Sequence, residues 1–196
     1  MRGDGPRPTE RELTGDISFT ALLREDWEAH GRSFASPGLH GLALHRIAVA
    51  RRSLPPPFRH VLGAVTRTVN KLLIRNLYGL ELHESTVIGR RVTIGHHVGV
   101  VLGAHAVIED DCIIRQNVTL GVVDNNTEHQ PWLRRHVLLG AGCSVLGHVT
   151  IGPDAIIGPG AVVITDVPAG ATAFAPPARI MKAGAGPAST PSASKG

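Results

Sequence analysis

From Leu82 onward an aliphatic residue returns at nearly every sixth position. It falls at Leu82, Ile88 and Ile94, at Leu102, Ile108, Ile114 and Leu120, and at Leu133, Leu139, Val145, Ile151, Ile157 and Val163. Several of these residues precede Gly, and a small or β-branched residue follows four positions later: Thr86, Val92, Val98, Ala106, Cys112, Val118, Cys143, Val149, Ala155, Ala161 and Val167. A helix face does not collect residues spaced by six. A β-sandwich would space its strands by roughly 8–12 residues. The pattern predicts instead one short strand and one tight turn per unit, with the aliphatic inward and glycine relieving the turn. No such unit buries its apolar side alone, so the units must stack into a solenoid.

The beat fails twice. Leu102 follows Ile94 by eight residues, and Leu133 follows Leu120 by thirteen. The first step carries His96 and His97, and the second carries His129. A regular scaffold that departs from its own rule at titratable residues is placing chemistry there.

Ahead of the solenoid the pattern turns helical, over residues 16–79. A helix is expected over 17–30, with Asp16 as N-cap. Ser36-Pro37 is an N-cap and first-turn pair that opens a second helix to about Arg52. Pro55-Pro56-Pro57 ends that segment, and a third helix is expected from Phe58 to Tyr78. Its stripe is Val61, Val65, Val69, Leu72 and Leu73, and Gly79 stops it. Residues 1–15 are rich in Pro, Gly, Arg and Glu and read as a flexible lead. Residues 80–182 form the solenoid domain, and 183–196 read as a disordered low-complexity tail. The helices and the Pro-rich close are placed to cap the two ends.

The 196 residues suit one compact domain with an appendage. The chain is 42% hydrophobic but only 4% aromatic, so small aliphatics do the packing, which suits a narrow prism. The net charge is +4, with much of the Lys and Arg in the first 91 residues among acids and apolar residues. Without aromatic–basic interleaving this reads as solvated helix surface with attraction for a phosphorylated cofactor, and not as a nucleic-acid platform. Cys112 and Cys143 occupy inward small positions and read as buried hydrophobes, neither disulfide nor catalytic thiol. There is no signal segment and no membrane-spanning run, so a cytoplasmic protein is expected. No Walker or Rossmann loop is present.

The hexapeptide run resembles the left-handed parallel β-helix of the hexapeptide acyltransferases. Asp166-Val167-Pro168-Ala169-Gly170 and Pro177-Ala178-Arg179-Ile180 are similar to their closing motif. More narrowly, four segments resemble serine O-acetyltransferases. These are Ser36 to Arg46 with its Pro-Gly-Leu-His start, Gly99-Val100-Val101-Leu102-Gly103, Gln116-Asn117-Val118-Thr119-Leu120-Gly121, and Leu139 to Gly147. The likeness covers residues 20–182. It implies acetyl transfer from acetyl-CoA to L-serine, giving O-acetylserine and CoA, in a homotrimer with sites between prisms. The hexamer of long-type enzymes stays open, because only about 80 residues precede the solenoid. It implies that His96, three residues before Gly99, is the general base. Glu81 stands where the family has an Asp to orient that base. His129 matches the second family histidine, with one residue inserted. Gly121, Ala141 and Gly142 match positions along the pantetheine arm of acetyl-CoA, and Arg179 is a candidate phosphate partner. Direct transfer is expected, without a covalent enzyme intermediate.

The resemblance also marks departures. Gly95 and Glu128 stand where the family reads its acceptor with an Asp and an Arg. No Asp matches near His30-Gly31-Arg32-Ser33, and the usual Gly-Gly-Thr-Gly loop reads Gly121-Val122-Val123-Asp124. These leave a second reading, an O-acetyltransferase of a sugar, a polysaccharide unit or a secondary-metabolite hydroxyl. Two further alternatives are a zinc site from His96, His97, His129 and His136 and a non-catalytic solenoid module, and no metal is expected. The chain ends at Gly196 without the terminal Ile that family members dock on cysteine synthase, so that partner is not expected.

Overall fold

The repeated aliphatics meet as three continuous stacks. In the computed structural model, which describes residues 6–124, 126–127 and 129–180, the chain coils through five turns of a parallel β-solenoid. Fourteen short strands are present among the described residues. One face consists of β1 (Leu80–Leu82), β4 (Val100–Leu102), β7 (Thr119–Gly121), β10 (Ser144–Leu146) and β13 (Val162–Val163). The second holds β2 (Val87–Ile88), β5 (Val107–Ile108), β8 (Trp132–Leu133) and β11 (Thr150–Ile151). The third holds β3 (Thr93–Ile94), β6 (Ile113–Ile114), β9 (Leu138–Leu139), β12 (Ile156–Ile157) and β14 (Thr172–Ala173).

Register aligns the repeat residues one above another. Leu82, Leu102, Leu120, Val145 and Val163 stack on the first face. Ile88, Ile108, Leu133 and Ile151 stack on the second, and Ile94, Ile114, Leu139 and Ile157 on the third. All are buried, and each contributes about 1.5–3 kcal/mol of apolar transfer. The small positions lie inward as expected, Cys112 and Cys143 among them. Val98 is the exception at 57% exposed, because the first step lifts it out of the prism.

Four helices precede the solenoid: α1 (Glu10–Thr14), α2 (Phe19–Ala29), α3 (Pro37–Ala50) and α4 (Pro56–Val69). A π-helical turn, Asn70–Arg75, continues α4. Helix α1 falls inside the stretch expected as an unstructured lead. Thr9 and Glu12 close a capping box there, and Glu10 reaches the buried Arg46 at 2.8 Å. The α4 stripe also differs from a core-facing one. Val61, Val65 and Leu72 are more than half exposed, while Gly63, Thr66 and Ile74 face inward. The reason is steric: the Arg51 guanidinium lies where a Cβ on Gly63 would stand, 2.9 Å away, so the helix turns its smallest side to the protein. The tail 183–196 lies outside the described residues.

Helix α3 seats the helical region on the first rung. Ser36 caps it, Pro37 occupies the first turn, and Leu39, Leu42, His45, Arg46 and Ala48 are buried. Gly38 packs so closely on β3 that a Cβ would lie 2.0 Å from the Ile94 carbonyl oxygen. Arg46 is buried in an ion cluster with Asp26 (3.1 Å) and Glu10, and it also donates to the carbonyls of Ile88 and Gly89. Burial lifts both carboxyls above their usual range against the pull of Arg46.

Candidate active site

Both irregular connections flank the first face, at opposite edges. The first step, residues 95–99, joins β3 to β4 at the edge between the third and first faces. His96 adopts a left-handed φ of 58° there, and Gly99 one of 72°. Gly99 donates to Gly79 O and Val100 to His97 O, so the step is pinned to the end of the helical region. The same left-handed conformation recurs at Arg91, His105, Asp111, Asn117, His136 and Asp154, so it is the turn geometry of the solenoid, used here to carry a histidine. His96 is exposed, with its imidazole open to an incoming group. His97 beside it is half-buried, and loss of solvent pushes its pKa down, helped by the neighbouring His96.

The same edge continues upward through Asn117, Gly142 and Gly160, all with positive φ. Asn117 donates to Val98 O, Gly142 to Gln116 O and Gly160 to Ala141 O, each at 2.9 Å. Ala141 and Gly142 therefore line the column above His96. A Cβ at Gly142 would meet nothing within 4 Å, so this edge is flat and open. That shape fits an extended pantetheine arm lying against backbone. Glu81 lies on the outer surface of β1, opposite Val101. Among the described residues, no hydrogen bond or ion pair joins it to His96.

The second connection, between β7 and β8, carries His129 at the opposite edge. Its Nδ1 lies 3.1 Å from Asp124 Oδ2, and its Nε2 lies 3.1 Å from Asn126 Nδ2. The amide donates to Nε2, which leaves the Nδ1–H to face the carboxylate. This fixes the tautomer as an acid does for a catalytic imidazole. Asp124 is held below the usual carboxylate range, first by the Asn126 backbone N–H and then by His129. The His148 ring closes on His129 at 5.8 Å between centroids. Gly121 ends β7 at this edge, where a Cβ would find ordinary contact with Leu146 at 3.5 Å. Arg7 donates to Gln130 O at 2.5 Å, tying the chain ahead of α1 to this loop. Arg179 is exposed beyond the last strand and is not gathered with the other predicted residues. Glu128 lies outside the described residues.

One chain thus brings His96, Ala141 and Gly142 to one edge, and Gly121 and His129 to the other. Asp124 is absent from the sequence-based residues, because its pairing spans an irregular loop with no periodic signal. His40 and Tyr78 are absent too. The Tyr78 hydroxyl lies 3.2 Å from His40 Nδ1, and its ring meets His97 edge-on at 5.6 Å. Among the described residues, no group of three or more His, Cys, Asp or Glu is placed to hold a metal ion. Nor is any helix long and apolar enough to cross a membrane.

Comparison with known proteins agrees with this architecture. Residues 131–165 match the family model for bacterial transferase hexapeptide repeats. A serine acetyltransferase of Helicobacter pylori is 36% identical over 172 residues, covering 85% of this chain and 96% of that protein. The serine acetyltransferase of Synechococcus elongatus is 36% identical over 148 residues, and the chain spans only 57% of its length. A solved serine acetyltransferase in complex with CoA superimposes with a TM-score of 0.67 at 29% identity, over 85% of this chain and 71% of that one.

Proposed function

The chain belongs to the serine acetyltransferase family of hexapeptide-repeat transferases, and we propose that it carries an acetyl group from acetyl-CoA to a hydroxyl, with L-serine as acceptor. The observation that carries this reading is the first step. It lifts an exposed histidine onto one edge of the prism, below Asn117 and the small residues Ala141, Gly142 and Gly160.

In this reading His96 takes the proton of the acceptor hydroxyl as that oxygen attacks the thioester carbon. The carbon–sulfur bond breaks as the tetrahedral adduct collapses, and the His96 imidazolium returns its proton to the departing thiolate. Backbone N–H groups near Gly121 or Ala141 hold the oxyanion. Glu81, on the outer side of β1, is the carboxylate that orients His96 and stabilises its imidazolium. His129, oriented by Asp124, belongs to the opposite edge of the prism. It reaches a His96 site only on a neighbouring prism, which supports a homotrimer with shared sites. Arg179, near the end of the solenoid, meets a CoA phosphate. Acetyl-CoA supply places the reaction in the cytoplasm.

Gly95 favours a second acceptor class. A Cβ there would meet nothing within 4 Å, so open space stands beside the base where a carboxylate would receive an ammonium group. That space suits a neutral hydroxyl compound such as a sugar. The test is product analysis by mass spectrometry after incubation with acetyl-CoA and either L-serine or a sugar panel. Formation of O-acetylserine supports the first reading. Acetylated sugar without O-acetylserine selects the second, and CoA release with neither overturns both.

A further inference from the structure

The Pro-Gly-Leu-His start of α3 is joined to the catalytic step by a bond path that the proposed reaction does not use. His40 Nε2 lies 2.7 Å from the Phe34 carbonyl oxygen. A carbonyl only accepts, so Nε2 carries the ring proton and Nδ1 of the neutral ring is an acceptor. The Tyr78 hydroxyl, 3.2 Å from that Nδ1, must therefore donate to it. This directs the phenol and fixes its ring against His97, with centroids 5.6 Å apart and planes at 69°. Edge-to-face packing of this kind is a favoured aromatic geometry that holds both rings. His97 is the residue after the base, and its carbonyl closes the turn by accepting from Val100 N–H. The same helix start meets the strand before the step, where Gly38 abuts the Ile94 carbonyl, and His30 at the end of α2 receives the Ile94 N–H at 3.2 Å.

We infer that Tyr78 is a positioning residue: oriented by His40, it clamps His97 and so holds the left-handed turn that presents His96. This rests on the assignment of His96 as base. The clamp explains why a helix at a distance in sequence carries a histidine at its fourth position that contacts no substrate-facing residue itself. It also places Tyr78 at the junction between the last helical turn and β1, where its hydroxyl bonds α3 and its ring meets the first step.

The test uses Tyr78→Phe, which keeps the ring and removes the donor, alongside His40→Ala and the double variant. The expected result is a kcat reduced about tenfold in each single variant, with KM for acetyl-CoA unchanged and the midpoint of thermal unfolding lowered by no more than the few degrees that the lost hydrogen bonds account for. The double variant should lose no more than either single, since both act through one bond. A loss confined to stability, or additive losses, would overturn the inference. An NMR arm stands apart from turnover. With the imidazoles labelled by ¹⁵N, Tyr78→Phe should shift the ring resonances of His97 and His96 as well as that of His40. A shift at His40 alone would show that the path ends there and would also overturn the inference. Absence of acetyl transfer in the wild type would instead sink the functional reading and leave the NMR arm to decide this one.

Discussion

Replacing Gly38 by Ala tests how closely the helical region must sit on the catalytic step. The added Cβ would lie 2.0 Å from the Ile94 carbonyl oxygen and 3.1 Å from both the Ile94 carbonyl carbon and its Cβ. The oxygen belongs to β3 and is backbone, so it cannot rotate away. Helix and strand must separate by about 1.5 Å to restore ordinary contact. Overpacking of this kind costs about 1–3 kcal/mol. The clash is with backbone, so the upper part of that range applies, about 2–3 kcal/mol; alanine returns about 1 kcal/mol of helix propensity, and the net loss is about 1–2 kcal/mol. For a chain of this size each kcal/mol moves the unfolding midpoint by about 2–4 °C. A fall of about 2–8 °C by circular dichroism is expected. Because His96 lies two residues beyond Ile94, kcat should fall further than stability suggests, by up to about 10²-fold. Gly95→Ala is the stability control, since a Cβ there meets nothing within 4 Å and should leave the midpoint in place. A Gly38→Ala protein with wild-type midpoint and kcat would refute the claim that α3 sets the step.

Two further outcomes follow from buried titratable groups. His45 donates from Nε2 to Thr86 O and is fully buried, which pushes its pKa down to about 3. The unfolded chain binds this proton near pH 6.5 and the folded chain does not. The contribution is therefore complete above pH 6.5 and is lost as pH falls, by up to about 1.4 kcal/mol per unit. His30, also lowered by burial, acts in the same direction. Urea unfolding at pH 7.5 and pH 5 should show the loss, and His45→Gln should flatten it. An unchanged pH slope in that variant would remove His45 as its source. Burial also lifts the Cys112 thiol to about 12 and the Cys143 thiol to about 11. Neither should react with a disulfide reagent at pH 8 until the protein is denatured, and rapid labelling of the native protein would contradict their placement.

The solenoid was legible because its signal is repeated and local. Each aliphatic from Leu82 to Val163 found the stack that a period of six assigns it, and both interruptions became the two irregular edges. Three of the four helices were legible in approximate span, but α1 was not, and neither was the direction of α4. Val61 and Val65 mark an apolar stripe, yet a stripe does not say which way it points. Gly63 and Thr66, which make the contact, carry almost no hydrophobic signal. Helix α1 was announced by Thr9 and Glu12 at capping-box spacing, a cue outweighed by the Pro, Gly and charge around it. At the site, His96 and His129 stood out because they break a rule. Asp124, Tyr78 and His40 broke none. Their roles come from pairings across an irregular loop and across 38 residues of chain, which only the folded backbone brings together. Glu81 shows the converse, since a residue at the expected position is not thereby a residue in contact.

The central claim is that His96 is the base of an acetyl transfer, and CoA release from acetyl-CoA with L-serine, wild type beside His96→Ala, tests it most directly. The account predicts serine-dependent release in the wild type and a kcat lower by about 10²–10⁴-fold in the variant, with the unfolding midpoint unchanged. A near-normal rate in a folded His96→Ala protein would contradict it.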